Sequence, residues 1–383
     1  MFAFWNDQRI RGIIAQSLVI VLLGLLIYFI VSNTIHNLAA RNIATGFWFL
    51  SQPAGFEIQM SLIPYSAEST HGRVFVVGLL NTLFISILGC VLATLLGFFL
   101  GVMRLSGNWL LGRIIYWYVE FTRNVPLLLQ IIFWYTIFLK LPHVRESMDL
   151  GGSIYLNNRG LFSPAPVLGQ AFDFVLIALA IAIAAAWMIG RWARKRQDAT
   201  GQTFPVGWVS LALLVVLPLA VFYAAGAPLE WQFPERTRFS LRGGMQIAPE
   251  FMAMLLALTL YTAAFISEIV RAGILSVNKG QREAAAALGL RQSWIMKLII
   301  VPQAMRVIIP PLASQYMNLT KNSSLGFAIG YGELMAVFGG ISLNQTGQAI
   351  ECMAIVMVTY LIISLSISLF MNWYNARVRL IER

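Results

Sequence analysis

Long apolar runs separated by short charged connections dominate the chain, and their lengths set the expected architecture. Runs at 13–31, 74–103, 127–141, 174–190, 208–225, 251–275 and 352–373 are read as membrane spans, since about 20 apolar helical residues cross the hydrocarbon core. An eighth segment starts near Arg306, is interrupted at Pro310-Pro311 and breaks again at Lys321-Asn322-Ser323-Ser324. The expected fold is therefore all-α, a multi-pass transmembrane helical bundle of about eight spans. The stretch 109–122 mixes aromatic and charged residues and reads as an amphipathic cytoplasmic helix leading through Arg123-Asn124-Val125-Pro126 into the third span. Pro126 suits a helix start because its missing donor falls in the unpaired first turn. The connections 32–73, 142–172 and 226–249 are rich in Gly and Pro and read as extramembranous. The first run is longer than a signal-peptide core and no small-residue cleavage site follows it closely, so it is expected to be a retained span.

A polar island at 278–302 interrupts this pattern. Asn278 with Gln281 three residues on marks a capping-box start, four alanines propagate the helix with little side-chain entropy loss, and Gly289 supplies a left-handed stop. The helix expected over 279–288 spans about 15 Å. An exposed alanine surface with one carboxylate, Glu283, makes a poor core helix and a good plug for a groove on a soluble partner. The plainer alternative is an interfacial helix with no docking role.

At this stretch the sequence resembles the permease subunits of ATP-binding-cassette importers. Those carry a cytoplasmic Glu-Ala-Ala, three residues, Gly, nine residues, then Ile-x-Leu-Pro. Here Glu283-Ala284-Ala285, Gly289 and Ile299-Ile300-Val301-Pro302 keep that spacing, with Val301 in place of Leu. Gln281 and Ala287-Leu288-Gly289 resemble the polar amino acid branch, as do Gly78, Asn81, Thr82, Leu83 and Ser86 in the second span and Arg123-Asn124-Val125-Pro126 before the third. The resemblance implies a type I importer permease core of five helices, here with one N-terminal and two inserted spans, as in the longer permeases of general L-amino acid transporters. It divides the chain into an N-terminal span and loop (1–73), a first core part (74–141), loops with the two inserted spans (142–249), and the remaining core (250–383) with its coupling loop at 278–302. It also implies partners: a cytoplasmic ATPase dimer, a second permease subunit that is a paralogue, a periplasmic amino acid-binding protein, and the lipid bilayer of a bacterial inner membrane. Gln281, Glu283, Ala284, Ala285 and Gly289 would form the contact with the ATPase.

Composition and charge narrow the class further. With 383 residues, 58% hydrophobic, 11% charged and a mean hydropathy of +0.74, the chain is too apolar for a soluble domain. The formal charge of +11 is spread through the connections, and no like-charged block is long enough to track a nucleic acid backbone. Most of the 27 basic residues flank the spans on the side of the island, including Arg191, Arg194, Lys195 and Arg196 and the closing Arg377, Arg379 and Arg383, whereas Arg41, Arg73 and Arg238 belong to the smaller opposite set. The positive-inside rule then places the island and both termini in the cytoplasm. Cys90 and Cys352 fall within apolar runs, which argues against a structural disulfide. No phosphate loop, nucleophile elbow or ligand-spaced His/Cys cluster is found, and His36, His71 and His143 are expected in outward loops as solvated or interface residues. The chain is thus expected to be no enzyme and to hold no cofactor, ATP being bound by the partner subunit.

Polar residues within the spans are the candidates for a substrate path: Asn81, Thr82, Glu268, Lys321, Asn322, Ser323 and Ser324. Each has a plainer reading. Asn81 and Thr82 make ordinary interhelical bonds; Glu268 pairs with Arg271 on one helix face; Lys321 snorkels while Asn322 and Ser323 cap a helix. Against these stands the broken-helix reading, in which freed amides at 321–324 hold a substrate carboxylate. The functional alternatives to an amino acid importer permease are an ion-coupled secondary transporter of small polar solutes and a non-transporting membrane scaffold. The first usually shows two related halves, and the island has no counterpart between the second and third spans.

Overall fold

A computed structural model describes residues 8–40, 45–237 and 240–378; Arg41, Arg238, Arg379 and Arg383, which enter the charge count, lie outside them. Two units are formed, Met1–Tyr135 with Ala253–Arg383, and Thr136–Met252.

In the first unit, α1 (Gln8–Ala40) is apolar throughout its crossing length, and none of that length is buried within the chain. α2 (His71–Met103) starts at Thr70, whose hydroxyl accepts from the Arg73 amide, and carries a buried face of small residues. Gly97 and Gly101 on that face leave no room for a side chain: an added Cβ would lie 2.6 Å from Ile266 and 2.8 Å from the Ser267 carbonyl. Close backbone approach of this kind gives dispersion contact where water expulsion cannot drive association. α3 (Trp109–Asn124) is capped by Asn108 through the Leu111 amide at 3.1 Å. It ends before Pro126, where the preceding residue is driven out of the helical region, and α4 (Leu127–Leu139) turns away by 107°. The third expected span and the amphipathic stretch before it thus form a bent pair. α4 alone has 13 residues, about 20 Å and short of the hydrocarbon thickness. By length and composition seven helices can cross a membrane, or eight with this pair counted as one.

In the second unit, α5 (Phe172–Thr200) and α6 (Val206–Ala224) form a hairpin. Of α5 only Ala178, Ala182 and Ala193 are buried, so methyl-sized contacts hold the pair and large apolar side chains face outward. The flanking connections carry short strands. β1 (Met148–Asp149), β2 (Tyr155–Asn157), β3 (Gly160–Ser163) and β8 (Met245–Ile247) make an antiparallel sheet, with Phe162 opposite Gln246; β4 (Ala165–Leu168) pairs with β5 (Leu229–Gln232) and β6 (Glu235–Arg236) with β7 (Leu241–Arg242). Val144, Tyr155, Phe162 and Leu241 form its core, over which Arg236 lies 4.8 Å from the Tyr155 ring.

The chain leaves this unit in α7 (Pro249–Leu275) and returns to the first, followed by α8 (Lys279–Ala287), the single turn α9 (Gln292–Ile295) and α10 (Val301–Asn322). Residues Met296–Ile300 form a π turn ahead of Pro302, which has no amide to give the Leu298 carbonyl. The interruption expected at Pro310-Pro311 is absent, since α10 runs through both. Two donors are lost there, but proline's φ suits a helix, and buried Ile308, Ile309 and Leu312 hold the segment in place. Nor does the chain break at Lys321–Ser324: the helix tightens to 3₁₀ over Ser323–Ile329 and stops at Gly330, φ +77°. A second π segment (Met335–Ser342) and the turn α11 (Leu343–Thr346) lead to α12 (Ala349–Val378).

At the Pro64–His71 end of α2 the segment before it folds over the bundle. Phe49 and Ala54 join Val74, Leu334, Val337, Phe338, Cys352 and Val356 in one core, and the Gly46 amide donates to Glu351 Oε1 at 2.6 Å. His71 opens α2 rather than lying in a solvated loop; it is buried, with Nδ1 2.9 Å from Ser342 Oγ. His36 is likewise helical, within α1. Along α2, α10 and α12 runs a groove of about 920 Å³, lined by Ser86, Thr94, Tyr316 and Phe370 among others, in which Thr94 and Tyr316 hydroxyls meet at 2.9 Å.

Gly97→Val should lower the melting temperature of the detergent-purified chain, overpacking of this kind typically costing about 1–3 kcal/mol. Gly24→Val in α1, where an added Cβ meets nothing within 4 Å, should leave it unchanged.

Candidate functional site

The α8 loop is a helix presented on a small apolar base. Asn278 caps it by accepting from the Gly280 amide at 2.8 Å. The expected capping box is not made, since the Gln281 amide bonds the Asn278 carbonyl rather than its side chain and no Gln281 side-chain bond to the Asn278 amide is found among the described residues. The helix stops one residue earlier than expected, at Ala287. Its end is a full Schellman closure: Gly289 N donates to Ala286 O at 2.9 Å and Leu290 N to Ala285 O at 3.3 Å, with Gly289 at φ +75°. A Cβ at Gly289 would touch nothing within 4 Å, so only the backbone conformation selects glycine there.

Ala285 is the one buried residue of α8. It rests on Ile295 and Ile300, with Ile274, Val277, Met296 and Ile299 around them. At about 100° per residue, Glu283 and Ala287 then lie opposite the base, with Ala284 and Ala286 at the flanks. Gln281, Glu283 and Ala284 are exposed. Of the residues the sequence grouped as the expected ATPase contact, Gln281, Glu283 and Ala284 thus face outward, while Ala285 faces inward onto the apolar base.

A second polar centre lies far along the chain from α8, where the turn after Gly330 meets α2 and α12. Asn81 Nδ2 donates to Met60 O at 2.8 Å and to Gly332 O at 2.7 Å, while Thr82 Oγ1 accepts from Leu334 N at 3.0 Å and donates to Gly78 O at 2.9 Å. Glu333, fully buried, accepts from Met335 N and Ala336 N, both at 2.7 Å, and from the Tyr360 hydroxyl at 2.9 Å. The Thr82 and Ser323 side chains also interact with that hydroxyl. Burial raises the Glu333 carboxyl to about 7, against the donors that lower it. Ser323 and Ser324 donate to the Thr320 and Lys321 carbonyls, both at 2.7 Å, so their hydroxyl protons serve their own helix. Lys321 is exposed, and neither its side chain nor that of Asn322 makes a hydrogen bond among the described residues. At the other end of α2, Glu268 takes ion pairs from Arg271 on its own helix and from Arg104, whose guanidinium also lies 5.2 Å over the Tyr116 ring.

Comparison with known proteins places this geometry. Over 378 residues the chain is 52% identical to the general L-amino acid transport system permease protein AapQ of Rhizobium johnstonii, covering 98% of this chain and 94% of that one. Residues 199–380 match the family described as the binding-protein-dependent transport system inner membrane component. The chain belongs to that family. The glutamate/glutamine/aspartate/asparagine transport system permease protein BztB of Rhodobacter capsulatus is 44% identical over 409 residues, with 98% of the permease and 96% of the relative covered. A solved amino acid ABC transporter with histidines is similar at a TM-score of 0.47 and 19% identity, over 80% of the permease and 95% of that chain. Nothing among these relatives favours an ion-coupled carrier.

Sequence reasoning missed the permease's Glu333 and Tyr360, because a carboxylate in a Gly-rich connection reads as solvated and its phenol partner is 27 positions away. The one available signal was that Tyr331-Gly332-Glu333-Leu334 is flanked on both sides by apolar sequence. The bond of Arg104 to Glu268 needs α2 and α7 side by side and has no local signal in the sequence.

Because the folded Glu333 holds its proton to higher pH than the unfolded chain does, its contribution to stability is present at acid pH and is lost as pH rises from about 4.5 to about 7. Glu333→Gln should remove that decline, so wild type should lose melting temperature relative to the variant between pH 5 and 7. Parallel profiles would contradict the assignment.

Proposed function

We propose that this permease is the membrane-spanning subunit through which L-amino acids, polar or broad in range, pass from periplasm to cytoplasm. The observation that carries the reading is identity of 52% along nearly the whole chain with a general L-amino acid permease. It is supported by an exposed α8 whose capped ends and single buried alanine suit a helix seated in a partner's groove. In this reading the chain binds no cofactor; ATP is hydrolysed by a cytoplasmic ATPase dimer into which α8 docks. A paralogous second permease completes the pathway, a periplasmic binding protein delivers the substrate, and both termini face the cytoplasm of a bacterial inner membrane.

Gln281, Glu283, Ala284, Ala285 and Gly289 act together in coupling, with different parts. Glu283 offers a charge-assisted acceptor to a basic group on the ATPase, Ala284 and Gln281 edge the contact, Ala285 anchors the helix on Ile295 and Ile300, and Gly289 fixes the exit of the chain. Among the substrate-path candidates, Asn81, Thr82, Ser323 and Ser324 shape the wall through their internal bonds, and Glu268 clamps Arg104 and Arg271. Lys321 and Asn322 keep unengaged polar groups for a carboxylate.

In proteoliposomes holding the complete complex, Gly289→Val should lower uptake and substrate-stimulated ATP hydrolysis together by about fivefold or more, a β-carbon being disfavoured in the left-handed region by about 1 kcal/mol or more. Ala287→Trp should do the same by steric exclusion, and Glu283→Ala should reduce both by about tenfold, the worth of one charge-assisted bond. Normal uptake in all three would remove α8 from coupling.

Lys321→Gln and Asn322→Ala should lower uptake several-fold while leaving complex assembly and unstimulated ATPase activity unchanged. Wild-type transport by both would take these residues out of the substrate path.

A further inference from the structure

The turn of the α5–α6 hairpin carries a group of side chains that coupling does not use. Past Gly190, α5 continues to Thr200 and bears Arg191, Arg194, Lys195 and Arg196, all exposed. Asp198 is the one carboxylate between 191 and 208, and among the described residues none of the four cations forms an ion pair. Two of them are seated on indoles one turn back: the Arg191 guanidinium lies 4.3 Å over the Trp187 ring and that of Arg196 5.4 Å over Trp192. Phe204 folds back edge-on to Trp192, ring centroids 5.4 Å apart, and so fixes the turn against the helix.

We propose that this turn is a binding site for anionic phospholipid, the headgroup phosphate being held by the four cations and the glycerol and upper acyl region by the exposed faces of Trp187 and Trp192. Depth selects this ligand over other anions. Trp187 and, on α6, Trp208 stand where the apolar runs end, the usual level of the membrane interface. Counted from Gly190, where the apolar run ends, Arg191 lies about 1.5 Å out and Arg194–Arg196 about 6–9 Å out. The headgroup layer on one face of a bilayer is about 5–8 Å thick, so the cations span it from its inner boundary to its outer edge, where phosphates are lipid phosphates. Stacking engages a guanidinium through its π face and leaves in-plane N–H donors for phosphate oxygens, although Arg196 Nη2 already gives one to Gln202 Oε1 at 2.6 Å. Basic clusters flanking a span are attracted to anionic leaflets by about 1 kcal/mol per charge, and here the indoles preorganise two of the four.

The test uses the purified complex of permeases and ATPase, delipidated and titrated with phosphatidylglycerol or phosphatidylcholine, with retained lipid counted by native mass spectrometry. Wild type should retain phosphatidylglycerol on the order of tenfold over phosphatidylcholine. Arg191→Gln/Arg194→Gln/Lys195→Gln/Arg196→Gln should lose most of that preference, and an Arg191→Lys/Arg194→Lys/Arg196→Lys variant should keep most of it. Should the quadruple variant fail to insert, Arg194→Gln/Lys195→Gln, with two cations left to orient the hairpin, carries the test and should show a fall of several-fold. No preference in wild type, or one unchanged in the neutralised variants, overturns the site. Unchanged lipid retention with loss of ATPase subunit from a neutralised variant would assign the cluster to a protein contact and overturn it equally.

Discussion

A carboxylate taken out of water must find donors inside the protein or give up its charge, and Glu333 meets that constraint with two backbone amides and a tyrosine hydroxyl. Much of the first unit is arranged around it. The amides belong to the start of the π segment, the phenol to α12, and the turn that holds the carboxylate is pinned to α2 by Asn81 and Thr82. Three helices distant in sequence are thereby tied at one end by directional bonds. With water absent from the bilayer core, apolar packing alone discriminates poorly between helix registers, and such bonds supply the specificity.

Elsewhere the bundle is held by shape. Gly78, Gly97 and Gly101 admit Leu334, Ile266 and Val270 to distances at which a methyl group would collide, and Ala178 and Ala182 do a milder version of this in the hairpin. The two devices meet along α2: close contact runs from Gly78 to Gly101, joined near Asn81 by hydrogen bonds and beyond Gly101 by the Arg104–Glu268–Arg271 cluster.

What the sequence disclosed depended on whether the signal was local. The spans and both ends of α8 are written in runs, spacings and caps, and these were legible. The π turn before Pro302, the tightening of α10 into a 3₁₀ helix and the docking of Glu333 depend on neighbours, and were not. Lys321-Asn322-Ser323-Ser324 reads as a break because four polar residues interrupt an apolar run, yet serine hydroxyls satisfied by carbonyls three residues back let the helix continue. Strands of two to four residues fall below the length at which alternation is detectable, so the loops of the second unit looked irregular.

The π turn at Met296–Ile300 also changes how positions on either side of it correspond. A π turn holds one residue more than an α turn, so side chains beyond it are set back by about 100° around the axis relative to an unbroken α-helix. Gln292 and Asn322 therefore do not belong to one helical wheel. A periodicity measured by scanning substitutions from the island into α10 has to be phased twice, once before Met296 and once after Ile300; a single phase would turn residues that share a face onto different ones.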